Sequence, residues 1–310
     1  MRIVFMGTPE FAVPPLRALL DAGYDVVGAV TQPDRPAGRG HKLTPCPVKL
    51  LAQERGVPVV QFERIKSPEG VACLRELAPD MMVTAAFGQI LSREILDIPQ
   101  YGTVNVHASL LPRYRGSAPI NWCILNGETV AGVTTMLTDA GMDTGDMLLK
   151  AETPIGELET AGELTARLSD LGAELLIETL KRYPHGDLKP TPQNPDEASY
   201  QPMLNKEMGR VDWAKGAQEI ANQVRGLNPW PGAYTENENG RLKIYLAKAC
   251  PARAEAQPGT VVTSSAKEGL FIACGEGWLE VLEMQTPNAK RMAAKAYLQG
   301  KKIDVGTKFE

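Results

Sequence analysis

Along the first half of the chain, short β-branched and apolar runs alternate with stretches whose apolar positions recur every three to four residues. The runs at 2–6 (RIVFM), 25–31 (DVVGAVT), 57–60 (VPVV), 81–86 (MMVTAA), 102–107 (GTVNVH) and 131–138 (AGVTTMLT) read as strands. Helical patterns lie between several of them, at Glu10 to Asp21, with Pro14 and Pro15 near its start, and at Ser67 to Leu77. A longer one, from Thr160 to Tyr183, puts Leu164, Leu168, Leu171, Leu175 and Leu180 at helical spacing and is suited to closing a domain. Strand–helix alternation predicts an α/β, Rossmann-like domain: a mostly parallel sheet with helices on both faces. Ligands of such sheets gather beyond the carboxyl ends of the strands.

The texture changes at 184–202 (PHGDLKPTPQNPDEASYQP), where five prolines sit in polar filler and a connecting linker is expected. Beyond it come one helical piece, Ala217 to Arg225, and short strand patterns at 241–249, 259–265, 270–275 and 278–284, then a helical pattern from Arg291 to Gln299. Several short strands with turn signals predict a small β-barrel, OB-like in size. The expected division is therefore a first domain at 1–188, a linker at 189–205 and a second domain at 206–310.

Composition narrows the picture without deciding it. With 310 residues, 43% hydrophobic and 23% charged, the chain is ordinary for a folded protein of two domains. No apolar run has the length of a signal core or a membrane span, so no membrane association is expected. The five cysteines are scattered and form no C-x-x-C pair, which fits a reducing cytoplasm and argues against a disulfide framework or a zinc site. Charge is uneven: residues 290–310 carry six basic against two acidic side chains, a net of +4 in a chain of −4, so the first 289 residues carry −8. A second basic stretch, DRPAGRGHK, runs from Asp34 to Lys42. Positive patches on an acidic body are able to hold a polyanion.

The first strand is followed by GTPEFA rather than G-x-G-x-x-G, and no G-x-x-x-x-G-K-[ST] occurs, so both a nicotinamide cofactor and a P-loop nucleotide site are disfavoured. Polar residues do converge elsewhere. In NVHASLLPRYRG (105–116) the pair Asn105 and His107 lies on one face of a strand, opposite Val104 and Val106. The loop TDAGMDTGDM (138–147) offers Asp139, Asp143 and Asp146, one of which can return to the imidazole. An amide donor, an imidazole and a carboxylate suit acyl transfer without a covalent intermediate. The same residues are also compatible with a structural histidine and a plain Asp-rich turn.

The wording of NVHASLLPRYRG together with DAGMDTGD resembles the folate-dependent formyltransferases. FMGTPEFA, TQPDRPAGRGHKLTPCPVK (31–49), SLLPRYRGSAPINW (109–122) and NPWPGA (228–233) resemble the members of that family that act on methionyl-initiator tRNA. The resemblance implies a catalytic set of Asn105, His107 and Asp143, with 10-formyltetrahydrofolate as formyl donor and no metal. It places the folate along Ser109, Leu110, Leu111 and Pro112 and beside Phe87, Gly88 and Ile90. It also implies tRNA contacts at Arg35, Arg39, His41 and Lys42 and in the second domain, where the basic residues Lys301 and Lys302 lie, in a protein acting as a monomer. Two alternatives stay open: a formyltransferase acting on a UDP-amino sugar, and an RNA-binding protein with an inactive first domain.

Overall fold

The computed structural model describes residues 1–37 and 42–310; of Ala37 and Lys42 only the backbone is described. In chain order the elements are β1 (Arg2–Gly7), α1 (Val13–Asp21), β2 (Asp25–Thr31), β3 (Arg35–Ala37), β4 (Lys42–Thr44), α2 (Pro47–Glu54), β5 (Val59–Gln61), α3 (Pro68–Leu77), β6 (Met81–Ala85), α4 (Arg93–Leu96), β7 (Thr103–His107), β8 (Arg115–Gly116), α5 (Pro119–Leu125), β9 (Val130–Leu137), β10 (Met147–Pro154), α6 (Ala161–Arg182), β11 (Tyr200–Gln201), α7 (Ala217–Gly226), β12 (Ala233–Asn237), β13 (Gly240–Cys250), β14 (Val261–Ser265), β15 (Gly269–Ala273), β16 (Trp278–Gln285), β17 (Met292–Ala293) and α8 (Ala294–Gly300). They form two compact units, one of residues 1–116, 131–153 and 165–201, the other of residues 117–130, 154–164 and 202–310.

The first unit holds a seven-stranded sheet in the order β10-β9-β7-β6-β1-β2-β5. The pairs β1/β2, β2/β5, β1/β6 and β6/β7 are parallel and β7/β9 is antiparallel, so the sheet is mostly parallel as the alternation predicts. The chain builds outward from β1 through β2 to β5, then restarts on the other side of β1 with β6 and β7, which makes the boundary between β1 and β6 a topological switch point. Helix boundaries follow local chemistry. Ser67 Oγ accepts from Gly70 N at 3.2 Å to cap α3, with Pro68 at its first turn. Before α6, Thr160 and Glu163 form a reciprocal capping box, Thr160 N donating to Glu163 Oε2 at 2.9 Å and Glu163 N to Thr160 Oγ1 at 3.3 Å.

The face of α6 expected from its leucines is displaced slightly. Leu164, Leu168 and Leu180 are buried, whereas Leu171 and Leu175 are half-buried and Gly172, Ala173 and Leu176 lie inside. The reason is close approach: a Cβ on Gly172 would stand 2.8 Å from a Val106 methyl and 3.4 Å from one of Val133, so this side of β7 and β9 packs on helix backbone. Val106 therefore faces the helix, and His107, the next residue, faces away.

The second unit is an antiparallel sheet, β12-β13-β16-β15-β14 with β17 beside β16, packed on α7 and α8 around Trp213, Ile220, Val224, Ile244 and Leu279. The last residues close it. Val261 N donates to Thr307 O at 2.8 Å and Phe309 N to Gly259 O at 2.9 Å on one side, and Glu310 N donates to Glu236 O at 2.9 Å on the other. The chain terminus thus bridges the β14 and β12 edges into a barrel and removes two open edges.

Two expectations change. Strand β10, like β12 and the short β3, β4, β8, β11 and β17, is absent from the expected strands; along MLLKAETP the inward positions Leu149, Ala151 and Thr153 are only half-buried, and the last two are weakly apolar, so the alternation carries little contrast. Residues 193–201, expected in the linker 189–205, belong to the first unit, where side-chain and backbone hydrogen bonds hold them; proline content removes helix and sheet periodicity without removing order.

Candidate active site

Strand β7 delivers Asn105 and His107 to the carboxyl end of the sheet beside the switch point. Asn105 pairs with Thr84 on β6 and Met136 on β9, and His107 with Thr134 on β9. Thr84 Oγ1 donates to Asn105 Oδ1 at 2.9 Å, which occupies the amide oxygen and leaves the two Nδ2 hydrogens as donors. His107 is only 7% exposed. Its Nε2 lies 3.1 Å from the carbonyl of Tyr114, and since a carbonyl only accepts, Nε2 carries hydrogen. The ring's other nitrogen, Nδ1, faces Asp143 Oδ1 at 3.6 Å. Any proton exchanged by this histidine is therefore the one on Nδ1, between ring and carboxylate.

The segment after β7 folds back at once. Ser109 Oγ donates to Arg113 O at 2.7 Å, Leu111 N donates to Thr134 Oγ1 at 3.1 Å, and Thr134 Oγ1 donates to Ser109 O at 2.7 Å, tying the turn to β9. Leu111–Pro112 is a cis peptide, and Tyr114 adopts φ 61°. The turn returns Tyr114, Arg115 and Gly116 under the imidazole.

Of the three acids in the loop between β9 and β10, one reaches the histidine. Asp139 is spent on its own turn, accepting from Gly141 N at 3.0 Å and from Thr144 Oγ1 at 2.7 and 2.8 Å. Asp143 stands at φ 55°, and its Oδ2 accepts from Gly116 N at 2.8 Å while Oδ1 faces His107. Asp146 contributes its carbonyl, which accepts from Leu137 N at 2.8 Å and closes the hairpin. The expected set of Asn105, His107 and Asp143 is thus brought together, with Asp143 as the single partner acid.

Several neighbours are not foreshadowed by the sequence. Thr84 orients Asn105, Tyr114 and Gly116 hold His107 and Asp143 through their backbone, and Gln193 reaches in from the proline-rich stretch. Only Tyr114–Gly116 lie within a motif; Thr84 is one residue of an apolar strand, and Gln193 one of many polar residues in an expected linker.

The expected folate residues follow the carboxyl ends of the adjacent strands β6 and β7 but differ in access. Ser109, Leu111 and Pro112 are buried, and Leu111 is 1% exposed, so its side chain belongs to the core, and of this stretch half-buried Leu110 and the backbone of the turn are what a ligand could reach. Phe87 is likewise buried, packed with Val4, Met6 and Leu91; its carbonyl accepts from Gln32 Nε2 at 3.1 Å across the switch point. Gly88 is exposed at φ 79°, and Ile90 is 70% exposed beside it. Among the expected tRNA residues, Arg35 starts β3, which pairs antiparallel with β4, and is paired with Glu63 at 3.0 Å on the surface. Arg39 and His41 lie outside the described residues, and Lys42 opens β4. In the second unit Lys301 and Lys302 are exposed, Lys301 with its ammonium 5.8 Å from the Tyr297 ring. Among the described residues no cluster of His, Cys, Asp and Glu is arranged to hold a metal, and no helix is long and apolar enough to cross a membrane.

Residues 1–180 match the family model described as formyl transferase, and residues 203–302 match the formyl transferase C-terminal domain. The methionyl-tRNA formyltransferase of Citrifermentans bemidjiense is 52% identical over 306 residues, covering 99% of this chain and 95% of the relative. That of Geobacter sulfurreducens is 50% identical over 309 residues, covering 100% and 96%. Among solved structures, WlaRD, a sugar 3N-formyl transferase solved with dTDP and 5-N-formyl-THF, superposes with a TM-score of 0.68 at 20% identity, covering 94% of this chain and 99% of that one.

Proposed function

This chain belongs to the formyl transferase family, and we propose that it moves a formyl group from 10-formyltetrahydrofolate to the α-amine of methionyl-initiator tRNA through Asn105, His107 and Asp143. The observation that carries the assignment of residues is the double fixing of His107, Nε2 on the Tyr114 carbonyl and Nδ1 toward Asp143, next to an asparagine whose oxygen is already taken.

In this reading the amine attacks the formyl carbon and the C=O bond opens to an oxyanion. Asn105 Nδ2 and His107 Nδ1–H donate to that oxygen, which needs fixed donors placed before the charge appears. The 3.6 Å separation of His107 Nδ1 and Asp143 Oδ1 is longer than a hydrogen bond and lets the Nδ1 proton be shared with the reacting oxygen. Asp143 balances the imidazolium and takes the proton lost by the amine. Collapse of the tetrahedral adduct breaks the bond to N10 of the folate, which leaves with a proton as tetrahydrofolate. The set of three is complete without a residue from a second copy, so the proposal takes the protein to act as a monomer, and the scattered free cysteines support a cytoplasmic setting. The backbone of Ser109–Pro112, Leu110, Gly88 and Ile90 would line the folate, with Arg35, Arg39, His41, Lys42, Lys301 and Lys302 along the tRNA.

The test offers the purified protein 10-formyltetrahydrofolate with either methionyl-tRNA or a UDP-amino sugar and asks which amine gains the formyl group. Transfer to the sugar alone, or no transfer at all, would overturn the proposal.

A further inference from the structure

The proline-rich segment between α6 and the second unit makes more polar contacts with the site than any linker requires. Gln193, 9% exposed, uses its whole amide: Nε2 donates to the carbonyls of Asp143 and Gly145, both at 2.8 Å, and Oε1 accepts from Arg115 Nε at 3.0 Å and Nη2 at 2.8 Å. Arg115, itself 5% exposed, sends Nη1 to Tyr200 Oη at 2.8 Å. Farther along the segment, Ser199 accepts from Tyr114 N on its Oγ and from Arg115 N on its carbonyl, each at 2.8 Å, and Tyr200–Gln201 pair with Arg115–Gly116 as parallel strands. The tripeptide Tyr114–Gly116 is the common element: it holds His107 through the Tyr114 carbonyl and Asp143 through the Gly116 amide.

We infer that Gln193 is a positioning residue for Asp143, and that residues 193–201 form a strap that fixes both ends of the His107–Asp143 pair. Backbone conformation is the reason. Asp143 sits at φ 55°, a region that a non-glycine residue keeps only when its surroundings insist. The bend's own carbonyl and that of Gly145, two residues on, are both bound by one side-chain amide, which fixes the chain as it leaves the bend. Without Gln193 the loop is free to relax toward ordinary φ, and the carboxylate turns away from Nδ1 while its bond from the Gly116 amide bends or breaks. A displacement on the order of 1 Å in a reacting group is enough to cost about 100-fold in rate.

The inference rests on the proposed role of Asp143, and the test separates the two. With full-length protein and methionyl-tRNA as acceptor, Gln193→Ala is expected to lower kcat by ~10- to 100-fold with both KM values within about threefold of wild type. In an Asp143→Asn background the same change is expected to cost less than about twofold, because nothing remains to be positioned. Gln193→Glu keeps the volume and the acceptor for Arg115 but sets a carboxylate oxygen against the two carbonyls. It is expected to lose as much activity as Gln193→Ala, while its ion pair with Arg115 offsets part of the cost of the two unpaired carbonyls, so with Tm read alongside it decides the question where Gln193→Ala folds poorly. Wild-type kcat in both Gln193 variants, or an undiminished loss in the Asp143→Asn background, overturns the inference; wild-type kcat in Asp143→Asn alone removes the role of Asp143 and the inference with it.

Discussion

Replacing Asp143 by asparagine isolates charge from shape. The amide has the same outline and its oxygen is able to keep the 2.8 Å bond from Gly116 N, so the loop retains its anchor and the expected stability change is below about 1 kcal/mol. What disappears is the negative charge 3.6 Å from His107 Nδ1. For a full positive charge on the ring at an effective dielectric constant of ~20, the attraction is about 4–5 kcal/mol. Only the part of that attraction that grows as the oxyanion draws on the Nδ1–H donor counts toward the rate, and taking about half of it gives ~2–3 kcal/mol. At about 1.4 kcal/mol per tenfold, kcat should fall by roughly 30- to 200-fold, and by more where Asp143 also accepts the amine proton. Single-turnover formylation of methionyl-tRNA, with Tm measured alongside, checks this. A kcat within threefold of wild type in a folded variant would refute the electrostatic argument, and a fall in Tm of many degrees would show that the carboxylate is structural.

Thr84→Val removes the hydroxyl that occupies Asn105 Oδ1 at 2.9 Å, letting the amide rotate; kcat should fall by about 5- to 20-fold while folate affinity, read by calorimetry, is unchanged. Burial in the barrel pushes the Cys274 thiol up to about 12 from 9.0. The unfolded chain therefore ionises first, so stability from this group is intact below pH 9 and declines by up to ~1.4 kcal/mol per pH unit from 9 to 12; Cys274→Ala should make the loss between pH 8 and 10.5 smaller in urea titrations, with the other thiols and phenols that burial pushes up leaving a residual slope. Reversing the charges of exposed Lys301 and Lys302 should weaken tRNA binding and flatten its salt dependence by a little under one unit of log–log slope for each phosphate no longer neutralised, with the rate on bound substrate unchanged.

Much of the fold is legible in the sequence because its signals are local. The strand carrying Asn105 and His107 can be read from alternation alone, and α6 from leucine spacing, although Gly172 shifts its inner face: a glycine has no hydrophobicity to register, yet it permits the closest approach to Val106. The partner acid is legible only as one of three, since Asp139, Asp143 and Asp146 differ in nothing local except the turn each is folded into. Least legible is Gln193. Its four hydrogen bonds reach residues 48 to 78 positions away along the chain only after the fold is made, and no periodicity precedes such an arrangement.

The division of labour follows from where fixed geometry is needed. In the proposed mechanism formyl transfer requires a donor pair and a carboxylate held to fractions of an ångström, and the first unit would supply them from the carboxyl end of β7, a turn stitched to β9 and the inferred strap, with no step that depends on what the amine belongs to. A sugar formyl transferase shares that architecture at 20% identity, so architecture cannot be what selects the acceptor. Selection must come from surfaces that bind the remainder of the acceptor molecule. A polyanion the size of tRNA is held by charge spread over many points, and the chain places a net of +4 in its last 21 residues while the rest carries −8. An acidic remainder would repel the same backbone, and under the proposed function this would restrict productive encounters to the basic segments. On that proposal affinity and orientation would be set by one feature, and the rate constant for the bound complex by another.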